Sequence, residues 1–156
     1  MDVFIFTIKP FFAHRIFTGK KKFELRRHLG YDVKTGDRII VYVSGRVKAF
    51  IGEFVAGRVI TGSPEYVIRT VSNIPNAGVS NNDFKYIAGA MRAMAIEIVE
   101  PMLYDQLIEL KQVRRIFPDF MPPPSMKLID RNDPILLLLF DRMTAKNVKT
   151  TREKST

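Results

Sequence analysis

The segment Gly19-Lys20-Lys21-Lys22-Phe23-Glu24-Leu25-Arg26 joins a glycine to a stretch in which apolar and charged residues alternate. Phe23 and Leu25 recur at every second position, which is the period of a β-strand with one face in the core. Glu24 and Arg26 then share the opposite face. The glycine is the residue type that most often ends a helix in the left-handed conformation. We therefore predict a helix that ends at this glycine, followed by a strand with one apolar and one charged face.

One helix pattern and several strand patterns flank this segment. The pair Lys9-Pro10 predicts a helix with proline in its first turn, because that position needs no N–H donor. After the segment, the turn signal Lys34-Thr35-Gly36-Asp37 precedes two further β patterns. In this half we predict strands at Val3–Ile8, Lys22–Arg27, Arg38–Val43 and Val47–Ile60, with bends at Gly52 and Gly57, and a helix from Pro10 to Thr18-Gly19.

The second half alternates short helices and strands. Ser63-Pro64-Glu65 has the N-cap and the first-turn proline of a helix start. The apolar run from Ile135 to Phe140 is too short to cross a bilayer and predicts either a buried strand or a closing helix. We also predict helices at 63–70, 82–90 and 104–117, a loop at 73–80 and a strand at 93–99.

This order of elements predicts an α+β fold, a small closed or partly closed β-barrel with short flanking helices. The length of 156 residues suits one domain with one core. We assign residues 1–143 to that domain. Residues 144–156 are basic and lack apolar periodicity, so we expect a disordered tail there.

The charge of the chain indicates a polyanionic partner. The formal net charge is +9, and residues 1–30 hold seven Lys or Arg against two acidic residues. Basic side chains that neutralise phosphates release condensed counterions, which favours binding to nucleic acid. RNA or a nucleotide-like ligand is therefore the first partner to consider. The alternative is that the basic surface only keeps the protein soluble.

Composition argues against several other classes of protein. The chain has no cysteine and two histidines, so we expect no disulfide, no cysteine nucleophile, no metal and no cofactor. No apolar run is long enough for a membrane helix. The first eight residues read as a strand and lack the basic region of a signal peptide. We therefore expect a cytoplasmic protein without a membrane partner.

The pattern Gly19-x-Lys21-x-x-Glu24-x-Arg26 resembles the ASCH family, whose motif is Gly-x-Lys-x-x-Glu-x-Arg. The resemblance spans roughly residues 3 to 129. It implies a PUA-like barrel with a cleft, between the barrel and the first helix, that binds RNA or a nucleotide-like ligand. The other stretches that resemble the family are Ile8-Lys9-Pro10, Gly36-Asp37-Arg38, Gly52-Glu53-Phe54, residues 93–98 and the loop 123–126.

The charged residues of the motif are the candidate ligand-binding groups. The planar guanidinium of Arg26 carries several N–H donors that can bind a phosphate or the edge of a base. The Glu24 carboxylate can accept a hydrogen bond from an amine. Lys21 is placed to meet a phosphate or a polarised carbonyl, and with Lys9 it predicts an anion-attracting pocket. The alternative for Glu24 and Arg26 is a structural ion pair on the barrel rim. The candidate ligand-binding set is Lys9, Lys21, Glu24, Arg26, Tyr42, Ser44 and Ser125.

Some residues in and near the motif have a simpler interpretation. Tyr42 and Phe23 are candidates for stacking on a base, although each residue type is more often found in a core. Lys20 and Lys22 are best interpreted as solvated charges.

The loop Pro122–Pro124 is either a protein-interaction motif or, as we favour, a stiff connector.

Two classes of function fit these residues. The first is an RNA-binding module without catalysis. The second, which the resemblance to the ASCH family implies, is a small hydrolase acting on acylated nucleosides or RNA, with Lys21 and Glu24 as the catalytic candidates. The resemblance implies a Lys, a Thr hydroxyl and a downstream Glu for such an activity. Here Glu24 replaces the hydroxyl, which leaves Ser44, Ser125 or an activated water as nucleophile and Glu53 or Glu97 as the downstream acid.

Overall fold

Six strands and several short helices make up the part of the chain that the structure describes. The structure is a computed structural model that describes residues 1–139; the predicted tail at 144–156 and Phe140 lie outside these residues. The strands are β1 (Val3–Ile8), β2 (Phe23–Arg27), β3 (Arg38–Val43), β4 (Ala49–Gly62), β5 (Ala93–Glu109) and β6 (Met126–Ile129). The helices are α1 (Pro10–Phe17), α2 (Pro64–Ser72), α3 (Asn81–Ile87) and α4 (Leu110–Ile116), and residues 134–139 are also helical.

The strands form one curled, mixed sheet in the order β2-β5-β4-β3-β1-β6. β1 and β3 are parallel, and the other neighbouring pairs are antiparallel. β2 and β6 are the two edges, so the barrel is open along the seam between them. The predicted α+β barrel with short flanking helices is therefore confirmed in a partly closed form.

Apolar side chains fill both faces of this sheet. One cluster lies between the concave face and α1, and includes Phe6, Ile16 and Phe54. A second cluster covers the opposite face beneath α4 and residues 134–139. A third joins the apolar face of β2 to α2 and α3, and includes Phe23 and Leu25. β2 is therefore held from one side while its charged face remains turned toward the seam.

Glycines allow the long strands to curl. The register between β4 and β5 shifts near both predicted bends, Gly52 and Gly57. A Cβ at Gly52 would collide with the Met102 carbonyl oxygen and would lie 2.8 Å from the Phe17 ring. Only glycine therefore lets β4 pass this close to β5 and α1.

One sequence prediction was wrong, and one strand was missed, in the region after β5 begins. Residues 104–109 were predicted as helix, but they continue β5, and α4 begins only at Leu110. The helical spacing of Leu107, Leu110, Lys111 and Arg114 suggested the helix, but only the part from Leu110 onward is helical. Tyr104 and Ile108, four residues apart, lie on one face of the strand. The short edge strand β6 was not predicted. Of the two alternatives for the last apolar run, residues 134–139 adopt the helix.

Candidate ligand-binding cleft

A cleft of about 110 Å³ lies at the seam of the half-barrel, between α1, α3 and the charged face of β2. The cleft is lined by β1 and the residue after it (Thr7, Ile8, Lys9), by Phe12 of α1, by Lys21, Glu24, Leu25 and Arg26, and by Ser44, Asp83, Tyr86 and Pro124. Three motif residues, Lys21, Glu24 and Arg26, thus line the same cavity. The strand pattern of β2 predicts this for Glu24 and Arg26, which are two residues apart on one face.

Arg26 bridges the seam between the two edges of the sheet. From β2 it donates through Nη2 to both the carbonyl oxygen and Oγ of Ser125, at 2.7 Å each, immediately before β6. Its Nη1 donates to the Thr7 carbonyl of β1 at 3.2 Å and lies 3.7 Å from Glu24 Oε1. The guanidinium therefore provides side-chain hydrogen bonds across the seam, where β2 and β6 do not pair through their backbones.

Lys21 is the most deeply buried charge of the cleft, with 1% of its surface exposed. Its Nζ lies 2.9 Å from Glu24 Oε2 and 2.7 Å from Asp83 Oδ1. Two carboxylates, one from β2 and one from α3, thus share one ammonium. A buried ammonium needs such partners because water does not solvate it.

Asp83 is the charged cleft residue that sequence reasoning missed, and the lining rings Phe12 and Tyr86 were missed as well. Asp83 Oδ2 accepts from the backbone N–H of Ser80 at 2.9 Å, so that the residue also caps α3 through a capping box. The signal was present in the spacing Ser80-x-x-Asp83. That spacing predicts a helix start, however, and does not indicate that the second carboxylate oxygen points toward Lys21.

Each buried cation of the cleft also contacts an aromatic ring that lines it. Lys21 Nζ lies 4.6 Å from the centroid of the Phe12 ring, and the Arg26 guanidinium carbon lies 5.4 Å from that of Tyr86. A cation over a ring face within about 6 Å is attracted by the ring quadrupole. Phe12 and Tyr86 are both half-buried, so each ring also presents surface to the cavity.

The charges that line the cleft almost cancel. Lys21 and Arg26 are matched by Glu24 and Asp83, and Lys9 at the exposed rim adds a single positive charge. The Lys21 ammonium, predicted to attract anions, is therefore already neutralised by two carboxylates. The floor of the cleft offers donors and acceptors without a net charge.

Three polar atoms in this cluster lack a hydrogen bond of good geometry to residues 1–139: Arg26 Nε, Glu24 Oε2 and Asp83 Oδ1. The two carboxylate oxygens still contact Lys21 Nζ as ion pairs, so we regard them as satisfied electrostatically. Arg26 Nε has no such contact. A buried donor without a partner costs about 1–3 kcal/mol, so within residues 1–139 this atom is the one unsatisfied group of the cluster.

The segment that carries Lys21 is fixed by the backbone of its neighbours. Gly19 adopts φ +78° and ends α1, as predicted. The Lys21 N–H donates to the Arg15 carbonyl at 3.0 Å. On the other side, Gly78 approaches so closely that a Cβ there would collide with the Lys20 carbonyl oxygen. Lys21 is therefore positioned by α1 and by the loop before α3.

The remaining predicted residues divide into those near the cleft and those away from it. Lys9 and Ser44 line it, and Ser125 contacts Arg26. Tyr42 lies in the second core cluster against Phe50, 3% exposed. The structure does not bring Tyr42 to the cleft. Phe23 is likewise a core residue, whereas Lys20 and Lys22 are exposed charges, as predicted.

The two acids considered as the downstream Glu lie outside the cleft lining. Glu53 Oε2 accepts from Arg38 Nη2 at 2.7 Å and from the Tyr104 hydroxyl at 2.8 Å. Burial, together with the Glu53 charge, raises the pKa of Tyr104 well above its ordinary value. A side-chain hydrogen bond from Arg58 lowers the pKa of Glu97. Both acids are thus engaged in ion pairs elsewhere on the barrel.

Neither a metal cluster nor a membrane helix is found in the part of the chain that the structure describes. Within residues 1–139, no three His, Cys, Asp or Glu side chains are grouped to hold a metal ion. No helix among them is long and apolar enough to cross a membrane.

Comparison with known proteins identifies similar solved structures. The ASCH protein of Zymomonas mobilis superposes with a TM-score of 0.71, covering 87% of this chain and 93% of its own, at 24% identity. Atu2648 of Agrobacterium tumefaciens gives a TM-score of 0.54 over 91% and 93%, at 12% identity. The N-terminal domain of Staphylothermus marinus McrB gives 0.52 over 84% and 90%, at 18% identity.

No family profile and no curated protein matches the sequence, so the comparison is one of folds. The superposition on the Zymomonas mobilis protein covers nearly the whole of both chains. It agrees with the curled six-stranded sheet and short helices described above. The chain thus has the same α+β fold as the ASCH protein of Zymomonas mobilis, as the resemblance of its motif segment predicted.

Proposed function

We propose that this chain is an RNA-binding domain that holds one base or nucleotide of its ligand in the cleft at the seam. The observation that carries the proposal is the pair of half-buried rings, Phe12 and Tyr86, that line a cavity with a polar, charge-balanced floor. Nucleic-acid bases stack on aromatic side chains whatever their sequence. Glu24 and Arg26 supply an acceptor and donors for the edge of such a base.

The distribution of charge supports a base inside the cleft and a phosphate outside it. The floor carries no net charge, so a neutral ring with donors and acceptors suits it better than an anion. Lys9 is exposed at the rim and forms no ion pair with residues 1–139. Its ammonium is therefore available for the phosphate attached to a bound nucleoside.

The size of the cleft also favours a partial fit. Its volume of about 110 Å³ is well below the roughly 300–1,000 Å³ of pockets that enclose a whole drug-sized ligand. We therefore propose that a planar ring enters while the sugar and phosphates stay on the surface. The net charge of +9 of the whole chain supports an extended polyanion as the source of that ring.

Binding of a fluorescent mixed-sequence oligoribonucleotide, followed by anisotropy, tests the proposal. Phe12→Ala removes one ring from the cleft, and Phe11→Ala removes its exposed neighbour on the same helix, which does not line the cavity. Stacking on one ring contributes about 1–3 kcal/mol, so we expect Phe12→Ala to weaken binding roughly 5- to 150-fold. Phe11→Ala should bind like the wild type.

Two results would contradict the proposal. One is equal affinity of wild type and Phe12→Ala, with unchanged melting temperatures. The other is binding that does not weaken as salt increases, because contact between cations and phosphates must release counterions.

A small hydrolase is the second candidate, and one observation favours it. Lys21 lies between Glu24 and Asp83 within the cleft, so a second acid is present although neither Glu53 nor Glu97 lines it. In such an enzyme one carboxylate would take a proton from water, and Lys21 would stabilise the oxyanion. The hydroxyl of Ser44, which also lines the cleft, is the alternative nucleophile.

Incubation with acylated nucleosides and short RNAs separates the two candidates. Product formed by the wild type, and lost in both Lys21→Ala and Asp83→Asn variants that remain folded, would favour the hydrolase. Ser44→Ala then distinguishes a serine nucleophile from an activated water. Under the RNA-binding proposal, no variant differs from the wild type in product formed.

A further inference from the structure

A second concave surface, which we name the α4 groove, lies between α4 and the turn that joins β3 to β4. Its volume is about 570 Å³, several times that of the cleft. Its apolar lining includes Val47, and its charged lining consists of Lys48, Glu109, Lys111, Arg114 and Arg115.

The α4 groove is more basic than the cleft of the motif. Four cations and one carboxylate give it a net charge of +3, against +1 for the cleft. Lys111 lies 3.3 Å from Glu109, and Arg114 is held by the Phe120 carbonyl at 3.1 Å. Lys48 and Arg115 are exposed and form no ion pair with residues 1–139. Their charges are therefore available to an anionic ligand.

The backbone presents Lys48 to the groove in an uncommon conformation. Its φ is +48°, a region that residues other than glycine rarely adopt. Its carbonyl accepts from the Leu110 N–H at 2.9 Å, which ties the turn to the start of α4. Such conformations persist where the surrounding structure enforces them, and they cluster at functional sites.

Only a short stretch of chain separates the cleft from the α4 groove. Ser44 lines the cleft and Lys48 lines the groove, so the two are at most about 14 Å apart along an extended chain of four residues. Arg46 lies exposed between them. Val47 lines both the α4 groove and an adjoining depression that begins at Pro10, the residue after Lys9.

We propose that the α4 groove binds the phosphate backbone of the same RNA strand whose base occupies the cleft. The inference rests on the proposed function. A strand leaving the cleft at Lys9 meets Arg46 and Lys48 on the turn, and then Arg115 in the groove. A row of cations beside a base-stacking pocket is the arrangement that proteins use to follow a single strand.

The experiment compares two ligands that differ in length. An oligoribonucleotide of about ten nucleotides is long enough to reach from the cleft to the groove, and a dinucleotide occupies the cleft alone. The groove variant is Lys48→Ala/Arg115→Ala. The matched control is Lys34→Ala/Arg69→Ala, which removes two exposed cations that line neither surface.

The groove variant should lose affinity for the long RNA only. Each phosphate contact to a single strand contributes about 0.7 to the slope of log affinity against log salt, which corresponds to roughly 5-fold at about 0.1 M salt. We therefore expect a loss of about 25-fold and a slope lower by about 1.4, with dinucleotide binding unchanged. The control variant should keep most of the affinity and slope.

Two outcomes would overturn the inference. In one, the groove variant loses no more affinity for the long RNA than the control does. In the other, it loses affinity for both ligands equally, which would indicate an effect on the cleft or on the fold. If Phe12→Ala still weakens dinucleotide binding in either case, the proposed function stands and only the role of the groove fails.

Discussion

Arg26 Nη2 donates at 2.7 Å to both the carbonyl oxygen and the hydroxyl of Ser125. These two residues belong to opposite edges of an otherwise open sheet, one on β2 and the other directly before β6. The same guanidinium lines the cleft. The closure of the barrel and the shape of the candidate site therefore depend on one side chain.

The first prediction concerns this bridge. Ser125→Ala removes one hydrogen bond to the Arg26 guanidinium, and hydrogen bonds to charged groups contribute about 1.5–3 kcal/mol. We expect a loss of that size in the free energy of unfolding, measured with urea. Ser72→Ala, at the exposed end of α2, should change stability by less than about 0.5 kcal/mol. Equal effects of the two substitutions would contradict the bridging role.

The second prediction concerns the charge balance around Lys21. Lys21→Met leaves Glu24 with only Arg26 as a cationic partner and Asp83 with none among residues 1–139, and we expect it to cost about 3–5 kcal/mol. Adding Asp83→Asn restores equal numbers of cations and carboxylates in the cluster. The double variant should therefore be more stable than Lys21→Met alone, as a double-mutant cycle in urea would show.

Strict additivity of these two substitutions would contradict the account of a shared ammonium. Asp119→Asn, an exposed acid, provides the control second substitution. It should not rescue Lys21→Met, because it removes no carboxylate from the cleft.

The third prediction concerns Gly78, which lies against the segment that carries Lys21. Gly78 has φ +71°, and an added Cβ would collide with the Lys20 carbonyl oxygen. Gly30 has φ +91° and open space around it, so Gly30→Ala measures only the free-energy cost of placing alanine at a positive φ. That cost is about 1–3 kcal/mol. We expect Gly78→Ala to destabilise the protein more than Gly30→Ala and, unlike Gly30→Ala, to weaken RNA binding.

The fourth prediction is a loss of stability at alkaline pH that depends on Tyr104. Burial beside Glu53 raises the pKa of Tyr104 above its ordinary value of 10.0. Above that value the unfolded chain releases the proton and the folded chain keeps it, so stability falls as pH rises. Each pH unit in this window removes about 1.4 kcal/mol for one such group.

The Tyr104→Phe variant tests this dependence. At neutral pH it should be less stable by about 1.5–3 kcal/mol, because the hydroxyl no longer donates to Glu53. Above about pH 10 the unfolding free energies of wild type and variant should converge. A constant difference between them across the alkaline range would show that Tyr104 titrates normally. Tyr66→Phe, an exposed tyrosine, is the control.

Local patterns were sufficient to predict the elements that form the cleft. The alternation in β2 placed Glu24 and Arg26 on one face, and the lysine before the strand lies beside them as expected. Gly19 and Pro10 marked the two ends of α1. These features depend on neighbours in sequence, which is why the sequence alone predicts them.

The features of the site that the sequence did not predict correctly depend on packing between elements that are distant in sequence. Asp83 reaches Lys21 only because α3 packs on β2. Phe12 and Phe11 are adjacent on α1, and the rotation of the helix decides which ring lines the cleft. Tyr42 was placed wrongly because β3 is buried on both faces, so that alternation could not show which face meets the cleft.

The most direct test of the central claim is the Nε resonance of Arg26 in a titration with a short oligoribonucleotide. Arg26 lines the cleft and its Nε has no hydrogen-bond partner in residues 1–139, whereas Arg58 Nε is held by Glu97 on the barrel surface. If a base occupies the cleft, the Arg26 Nε signal shifts saturably and the Arg58 signal does not. An unchanged Arg26 Nε signal in protein saturated with RNA would contradict the account.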